Sequence, residues 1–279
     1  MSTAVDHPPL GALLRDWRRR RRLSQLDLAL EADVSARHLS FLETGRAQPS
    51  REMVLRLADR LDLPLREQNR LLLAAGFAPA YEERTIDAPE MAPAREALER
   101  LLAAHEPYPA VVVDRGWNVV TANDSLALFT DWVGPELLRP PVNVLRVTLH
   151  PDGMAPRLTD YGEIRAHLLQ RLRRHVEITG DAQLAALHEE LSAYPAPSGG
   201  EAPPPTPLVH ADLAGEVALP LRLRHPEAGE LSFISTVATF GTAIDVTLAE
   251  LSIEAFFPAN AETADYLMRK SALRTSETA

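Results

Sequence analysis

The strongest constraint on the fold lies in residues 10–76, where apolar residues recur every three or four positions in short runs set apart by capping residues. Leu10, Leu13, Leu14 and Trp17 form one face of an amphipathic helix that runs to about Arg22. Ser24 stands where an N-cap belongs, ahead of a second helix with Leu28 and Ala29 inward. After a turn at Asp33 and Val34, Ser35 opens a third helix, which Gly45 stops as a C-cap. Two short helices joined by a tight turn make a helix-turn-helix. Pro49 and Ser50 start a fourth helix with Val54, Leu57, Ala58 and Leu61 inward, and a fifth runs from about Pro64 to Ala75. Five helices in so short a stretch predict a self-contained helical domain over residues 1–78.

The charge is distributed to match. The whole chain carries a formal charge of -10, yet residues 1–80 hold 13 basic against 10 acidic side chains. The acidic excess therefore belongs to the remainder. A modestly basic end on an acidic body predicts that only the first part meets phosphate. The arginine run from Arg18 to Arg22 reads either as a solvated face or as a phosphate clamp at the end of the first helix.

The string LSQLDLALEADVSARHLSFLETGRAQPS resembles the XRE, or phage-repressor-like, helix-turn-helix family, through Leu23-Ser24-Gln25, Leu28-Ala29, Val34-Ser35, Leu39-Ser40, Leu42-Glu43, Gly45-Arg46 and Pro49-Ser50. The resemblance implies that the third helix reads double-stranded DNA in the major groove. By position it implies a phosphate contact for Gln25. Ser35 belongs to the same DNA-facing set, with Ala36, Arg37, His38, Ser40 and Phe41 turned to the groove. It also implies that Thr44 and Arg46 contact phosphates past the helix, and that Glu43 is a structural anchor. The chemistry agrees, since an arginine fork suits guanine and amide donors suit phosphate. Members of such families bind as twofold dimers, so a homodimer is expected.

Residues 79–95, rich in Pro, Ala and acid, read as a linker, which leaves 96–279 as a second domain. There the apolar run 110–113, the turn Asp114-Arg115-Gly116 and the run 117–121 predict a hairpin, with Asn123 opening a helix. Helical periodicity covers 126–133, 164–178 and 182–191. Residues 193–207 hold six prolines and two glycines, which predicts a loop. Strands are expected over 217–224, 231–240 and 243–256, completing a small antiparallel sheet, and a last helix over 261–273. The expected fold class is thus a five-helix domain followed by an α+β domain.

This second region resembles the ligand-binding domain of MmyB-like regulators through PYPAVVVDRGWNVVTAN, PPVNVLRVTLHPDGMAPR, AHLLQRLRR and LPLRLRHPEAGELSFISTVATFGTAIDVTLAELSIEAFFPANAETADYL. The resemblance implies a PAS-like fold with an apolar pocket for a fatty acid or a similar apolar ligand. Wall candidates are Val111, Val113, Leu126, Phe129, Leu145, Leu168, Leu172, Phe233 and Phe240. Asn143, Arg146 and His150 share one side of a helix at spacings of three and four. They read either as partners of a ligand carboxylate, which needs charge-assisted bonds once out of water, or as partners of backbone carbonyls where helix meets loop.

The chain has no cysteine and no HExxH, GxSxG, P-loop or GxGxxG motif, so neither an enzyme nor a metal site is expected. Its start lacks a signal sequence and no run is long enough to cross a bilayer, which predicts a cytoplasmic protein with no membrane partner. The expected function is a DNA-binding transcription regulator controlled by a small apolar ligand, the alternative being a constitutive regulator whose second domain only dimerises or binds another protein.

Overall fold

The computed structural model describes residues 9–197 and 220–278. It divides into two compact units: the residues up to Ala88 together with Gly241–Ala249, and Pro89–Phe240 together with the residues from Glu250 on.

The first unit holds α1 (Leu10–Arg20), α2 (Gln25–Glu31), α3 (Ala36–Glu43), α4 (Arg51–Arg60) and α5 (Leu65–Ala74). The serines at 24, 35 and 50 are N-caps, their hydroxyls accepting from the backbone N–H of Asp27, His38 and Met53. Asp27 answers with its side chain on the Ser24 N–H, completing a capping box. Arg22, Asp33, Gly45, Asp62 and Gly76, each just past one of the five helices, have positive φ, so each helix ends in a left-handed turn. The apolar faces meet in one core built on Leu14, Trp17, Leu28, Leu39, Leu42, Val54, Leu57, Leu61 and Leu72. Gly11 lets α1 approach α3 closely, because a Cβ there would stand 2.5 Å from the Glu43 carbonyl oxygen.

The segment Gly241–Ala249 belongs to this unit, although a strand beginning at residue 243 was the sequence expectation. Asp245 instead caps a short helix, α11 (Val246–Ala249), by accepting from the N–H groups of Thr247 and Leu248. The Val246 N–H donates to the Glu82 carbonyl and Arg84 donates to Asp245, which is 5% exposed. Residues of the expected linker are thereby hydrogen-bonded.

The second unit contains α6 (Ala92–His105), β1 (Ala110–Val113), β2 (Val119–Ala122), α7 (Ala127–Thr130), α8 (Val144–Leu149), α9 (Tyr161–Thr179), α10 (Ala182–Ser192), β3 (Leu221–His225), β4 (Gly229–Thr239), β5 (Ser252–Pro258) and α12 (Ala261–Thr278). Its five strands form an antiparallel sheet in the order β2-β1-β5-β4-β3. The strand β1 sits beside β2 on one flank and β5 on the other and is buried at all four positions, which accounts for its unbroken apolar run. Trp117 is the exception to the hairpin reading: it lies in the turn at φ 66°, not in β2. Asp114 holds that turn through the N–H groups of Gly116 and Asn118. Most of the loop expected over 193–207, and the start of the strand expected at 217, lie outside the described residues.

Two core clusters fill this unit. One gathers Leu128, Phe129, Val133, Phe233, Leu231 and Leu267, and the other gathers Val111, Val113, Leu145, Leu149, Leu172 and Leu187. Leu126, Tyr161, Leu168 and Phe256 pack against both.

Candidate DNA-reading helix and ligand cavity

The third helix is held from beneath by one buried carboxylate. Glu43, 4% exposed, receives Arg18 Nε at 2.6 Å and Arg18 Nη2 at 3.0 Å, while Gln25 Nε2 donates at 2.8 Å. Burial pushes the Glu43 carboxyl up, but the bonds from Arg18 and Gln25 and the charges of Arg18 and Arg15 outweigh it and hold the group below its ordinary range. This ties the end of α3 to α1 and to the start of α2. The arginine run is therefore not one surface. Arg18 points inward, Arg20 pairs with Asp16 at 2.8 Å, and Arg21 donates to the carbonyls of Leu61 and Asp62. Neither a uniform solvated face nor a single phosphate clamp describes it.

With α3 anchored on that side, its first turn and the turn beyond it stay open. Arg37 is exposed, its guanidinium carbon 5.4 Å from the Phe41 ring centroid. Ala36, His38, Ser40 and Phe41 are half-buried, whereas Ser35, Thr44 and Arg46 are exposed. The Thr44 hydroxyl donates to the Ser40 carbonyl at 2.8 Å, and Ser35 is occupied as the cap of α3. Gln25 stands beside this row with its amide engaged by Glu43.

In the second unit a cavity of about 350 Å³ opens where the two core clusters meet, a size within the usual range of small-molecule sites. Val111, Leu126, Phe129, Leu145 and Leu168 line it, as expected from sequence. Val113, Leu172 and Phe233 lie in the packed clusters instead; Phe233 is fully buried with its ring edge-on to Phe129 at 5.3 Å. Met154, Ile164, Phe256, His167 and Glu254 are among the further lining residues, which the sequence did not indicate.

Asn143, Arg146 and His150 are brought together, but to one side of that lining. Asn143 caps α8, accepting from the Arg146 N–H and donating to the Gly116 carbonyl at 2.8 Å. Arg146 makes a two-pronged pair with Glu190 of α10, both contacts 2.8 Å, which lowers the Glu190 carboxyl below its ordinary range. Tyr194 donates to the same carboxylate at 2.6 Å; burial and that bond push its hydroxyl up to about 12. The His150 ring stands edge-on to Tyr194 at 4.9 Å. The cluster thus fastens α8 to α10.

Residues 94–269 match the family described as MmyB-like transcription regulator ligand binding domain, and residues 9–71 match a helix-turn-helix domain. The chain belongs to the MmyB-like transcription regulators. The chain is similar to the ImmF control region 10 kDa protein of Bacillus phage phi105, with 36% identity over 61 residues, 22% of this chain and 68% of the phage protein. The crystal structure of the clp gene regulator ClgR from C. glutamicum is 31% identical with a TM-score of 0.22, covering 24% of this chain and 83% of that one. The two family matches make this MmyB-like regulator a helix-turn-helix DNA-binding protein with a ligand-binding-type domain. No helix among its described residues is long and apolar enough to cross a membrane.

The unforeseen Glu254 follows from the register. Val111 of β1 pairs with Glu254 of β5, and Phe256 lies two positions further along the same face. On β4, Ser235 is opposite Phe256. Alternation along β5 was visible as Ser-Ile-Glu-Ala-Phe-Phe, but which face meets a cavity depends on partners more than a hundred residues away. His167 had a nearer signal, because Ile164, His167 and Leu168 recur at helical spacing on α9.

Proposed function

We propose that this protein is a sequence-specific, XRE-type transcription regulator, without enzymatic activity, whose grip on DNA is set by a small apolar ligand in the cavity of its second unit. The observation that carries the reading is an apolar-walled cavity on the same chain as a helix-turn-helix. The hydrocarbon chain of a fatty-acid-like molecule suits its walls, with Phe129 and Leu145 as contacts. Contact of a ligand with Arg146 or His150 requires opening the Arg146–Glu190 pair, and Asn143 serves them as the cap.

On the DNA side the reading assigns base edges to Arg37 and His38, with Ala36 and Ser40 packed alongside, and phosphates to Gln25, Ser35, Thr44 and Arg46. One such module offers few base contacts, so a homodimer on two half-sites belongs to the same proposal. The strands β4 and β5, which carry Ser235, Glu254 and Phe256, are joined by the residues 241–249 that belong to the first unit. A ligand that shifts this hairpin has a covalent route to the helices, and it acts only through its differential affinity for two arrangements.

The test is operator affinity of the full chain before and after extraction of bound lipid, on a site found by selection from random duplexes. A change of roughly 5- to 150-fold is the range of natural couplings. Unchanged affinity on a selected site would leave a constitutive regulator whose second unit is a dimerisation or protein-interaction module.

A further inference from the structure

Two donor groups at the cavity stand without an acceptor among the described residues. The first is the indole of Trp117, which lines the cavity and is 7% exposed, yet its Nε1 has no hydrogen-bond partner. Buried donors left unmet are rare, and each calls for an explanation. Trp117 is also held where it is against its own preference. It sits at φ 66°, a conformation that a bulky residue takes only when its surroundings impose it. Here its N–H donates to the Asp114 carbonyl and its carbonyl accepts from the Val144 N–H, which fixes the turn that puts the indole on the wall.

The second donor lies over the same ring. The Arg171 guanidinium carbon is 4.4 Å from the Trp117 ring centroid. Ile164, His167 and Leu168 of α9 line the cavity, and Arg171, four residues past His167 and three past Leu168, continues their face of the helix. It is half-buried, and among the described residues it makes no hydrogen bond or ion pair. Other arginines of this unit are engaged: Arg146 by Glu190, and Arg157, stacked 4.6 Å from Trp132 and away from the cavity lining, by the Arg224 carbonyl. The charge of Arg171 reaches His167 and Glu254 on the wall, but the Glu254 side chain is hydrogen-bonded to Ser235. A guanidinium lying flat on an indole is already oriented and keeps its edge free, and that edge fits a carboxylate as a fork. His167 and Ser235 are exposed, so this end of the cavity meets water. An ionic head there keeps part of its hydration while its chain lies on the apolar wall of Leu126, Phe129 and Leu145.

We propose that Arg171 and the Trp117 Nε1 together hold the head group of the ligand, and that this head is an anionic acceptor, a carboxylate on an apolar chain. The inference rests on the cavity being a ligand site, and it names the residues that select the occupant.

Titration calorimetry of the full-length, lipid-extracted protein with dodecanol and with dodecanoate, ionised and below its micellar concentration, tests it. Dodecanoate is expected to bind about tenfold tighter than dodecanol, the worth of one bond to a charged partner. Arg171→Gln is expected to remove that preference by weakening dodecanoate alone, and Arg171→Lys, which keeps the charge without the planar fork, to restore only part of it. Dodecanol binding at its original strength shows that the pocket of these variants is intact. Trp117→Phe keeps an aromatic ring, removes Nε1 and is expected to weaken dodecanoate a few fold. Glu254→Gln, which takes the acidic group off the described wall, is expected to tighten dodecanoate and leave dodecanol unchanged. Dodecanoate bound as tightly by Arg171→Gln as by the unaltered chain would overturn the anchor and leave the cavity as a ligand site. If neither compound binds the unaltered chain, the anchor and the sensor reading fall together.

Discussion

Glu43 is buried in the first unit and Glu254 is half-buried on the cavity wall of the second, and the two are treated in opposite ways. Glu43 is enclosed by Arg18, Gln25 and Arg15 and is held below the ordinary carboxylate range; Glu254 has the charge of Arg171 and a serine, which burial outweighs, and is pushed above it. A carboxylate with both oxygens hydrogen-bonded is a fastening, and it fixes the end of α3 in one place. A carboxyl with few partners on the wall of a cavity keeps lone pairs unmet, and its charged form is disfavoured. Partners, and not burial alone, set which charge state a position favours.

The comparison can be broken most severely by making Glu43 resemble Glu254. Arg18→Ala strands the Glu43 carboxylate in the core, and breaking a buried pair from one side costs about 3–5 kcal/mol. Denaturant unfolding of the full chain, monitored through hydrogen exchange in α1–α3, should show that loss in the first unit. A cost under about 1 kcal/mol would mean that Glu43 is no fastening.

A smaller effect separates the buried arginine from the exposed one. Arg37→Ala should leave stability unchanged and relax base preference at one operator position by about 1–3 kcal/mol, with the salt slope almost unaltered. Equal loss on every sequence in a binding titration would move Arg37 to the phosphates.

The smallest effect is in pH dependence, and it sharpens the contrast by sign. Glu43, with its folded pKa depressed, contributes stability present above 4.5 and lost as pH falls through the folded value. Glu254, with its folded pKa raised, contributes stability present below 4.5 and lost as pH rises through the folded value. His167, His175 and His225, all lowered mainly by burial, contribute stability present above 6.5 and lost as pH falls through their folded values. Between 4.5 and 6.5 the second unit therefore loses on both counts while the first does not. Unfolding followed unit by unit across that window should show it, and Glu254→Gln should remove the loss that appears on raising the pH. Parallel curves for the two units would contradict the assignment.

The local features were legible because local chemistry decides them. Ser24, Ser35 and Ser50 cap the helices that follow them whatever lies further off, and the three-and-four spacing of Leu14, Trp17, Leu28, Leu39 and Leu42 already names the first core. The exposed face of α3 could be placed on this basis, since the helix carries its own exposed and buried sides. Arg18 could not: five consecutive arginines look alike until tertiary packing chooses one to meet Glu43.

In the second unit apolar runs and periodicity placed most of the strands and helices and five of the residues on the cavity wall, Val111, Leu126, Phe129, Leu145 and Leu168. Tertiary structure decided the rest. Residues 243–249 read as strand by composition, yet Asp245 caps a helical turn and is placed among the first unit's residues by Glu82 and Arg84. Arg146 looked free to meet a ligand until α10 brought Glu190 to it. Glu254 became a cavity residue only when β5 paired with β1 and β4. The physical reason is common to all three: charge, burial and facing are properties of neighbours, and here the neighbours come from distant parts of the chain.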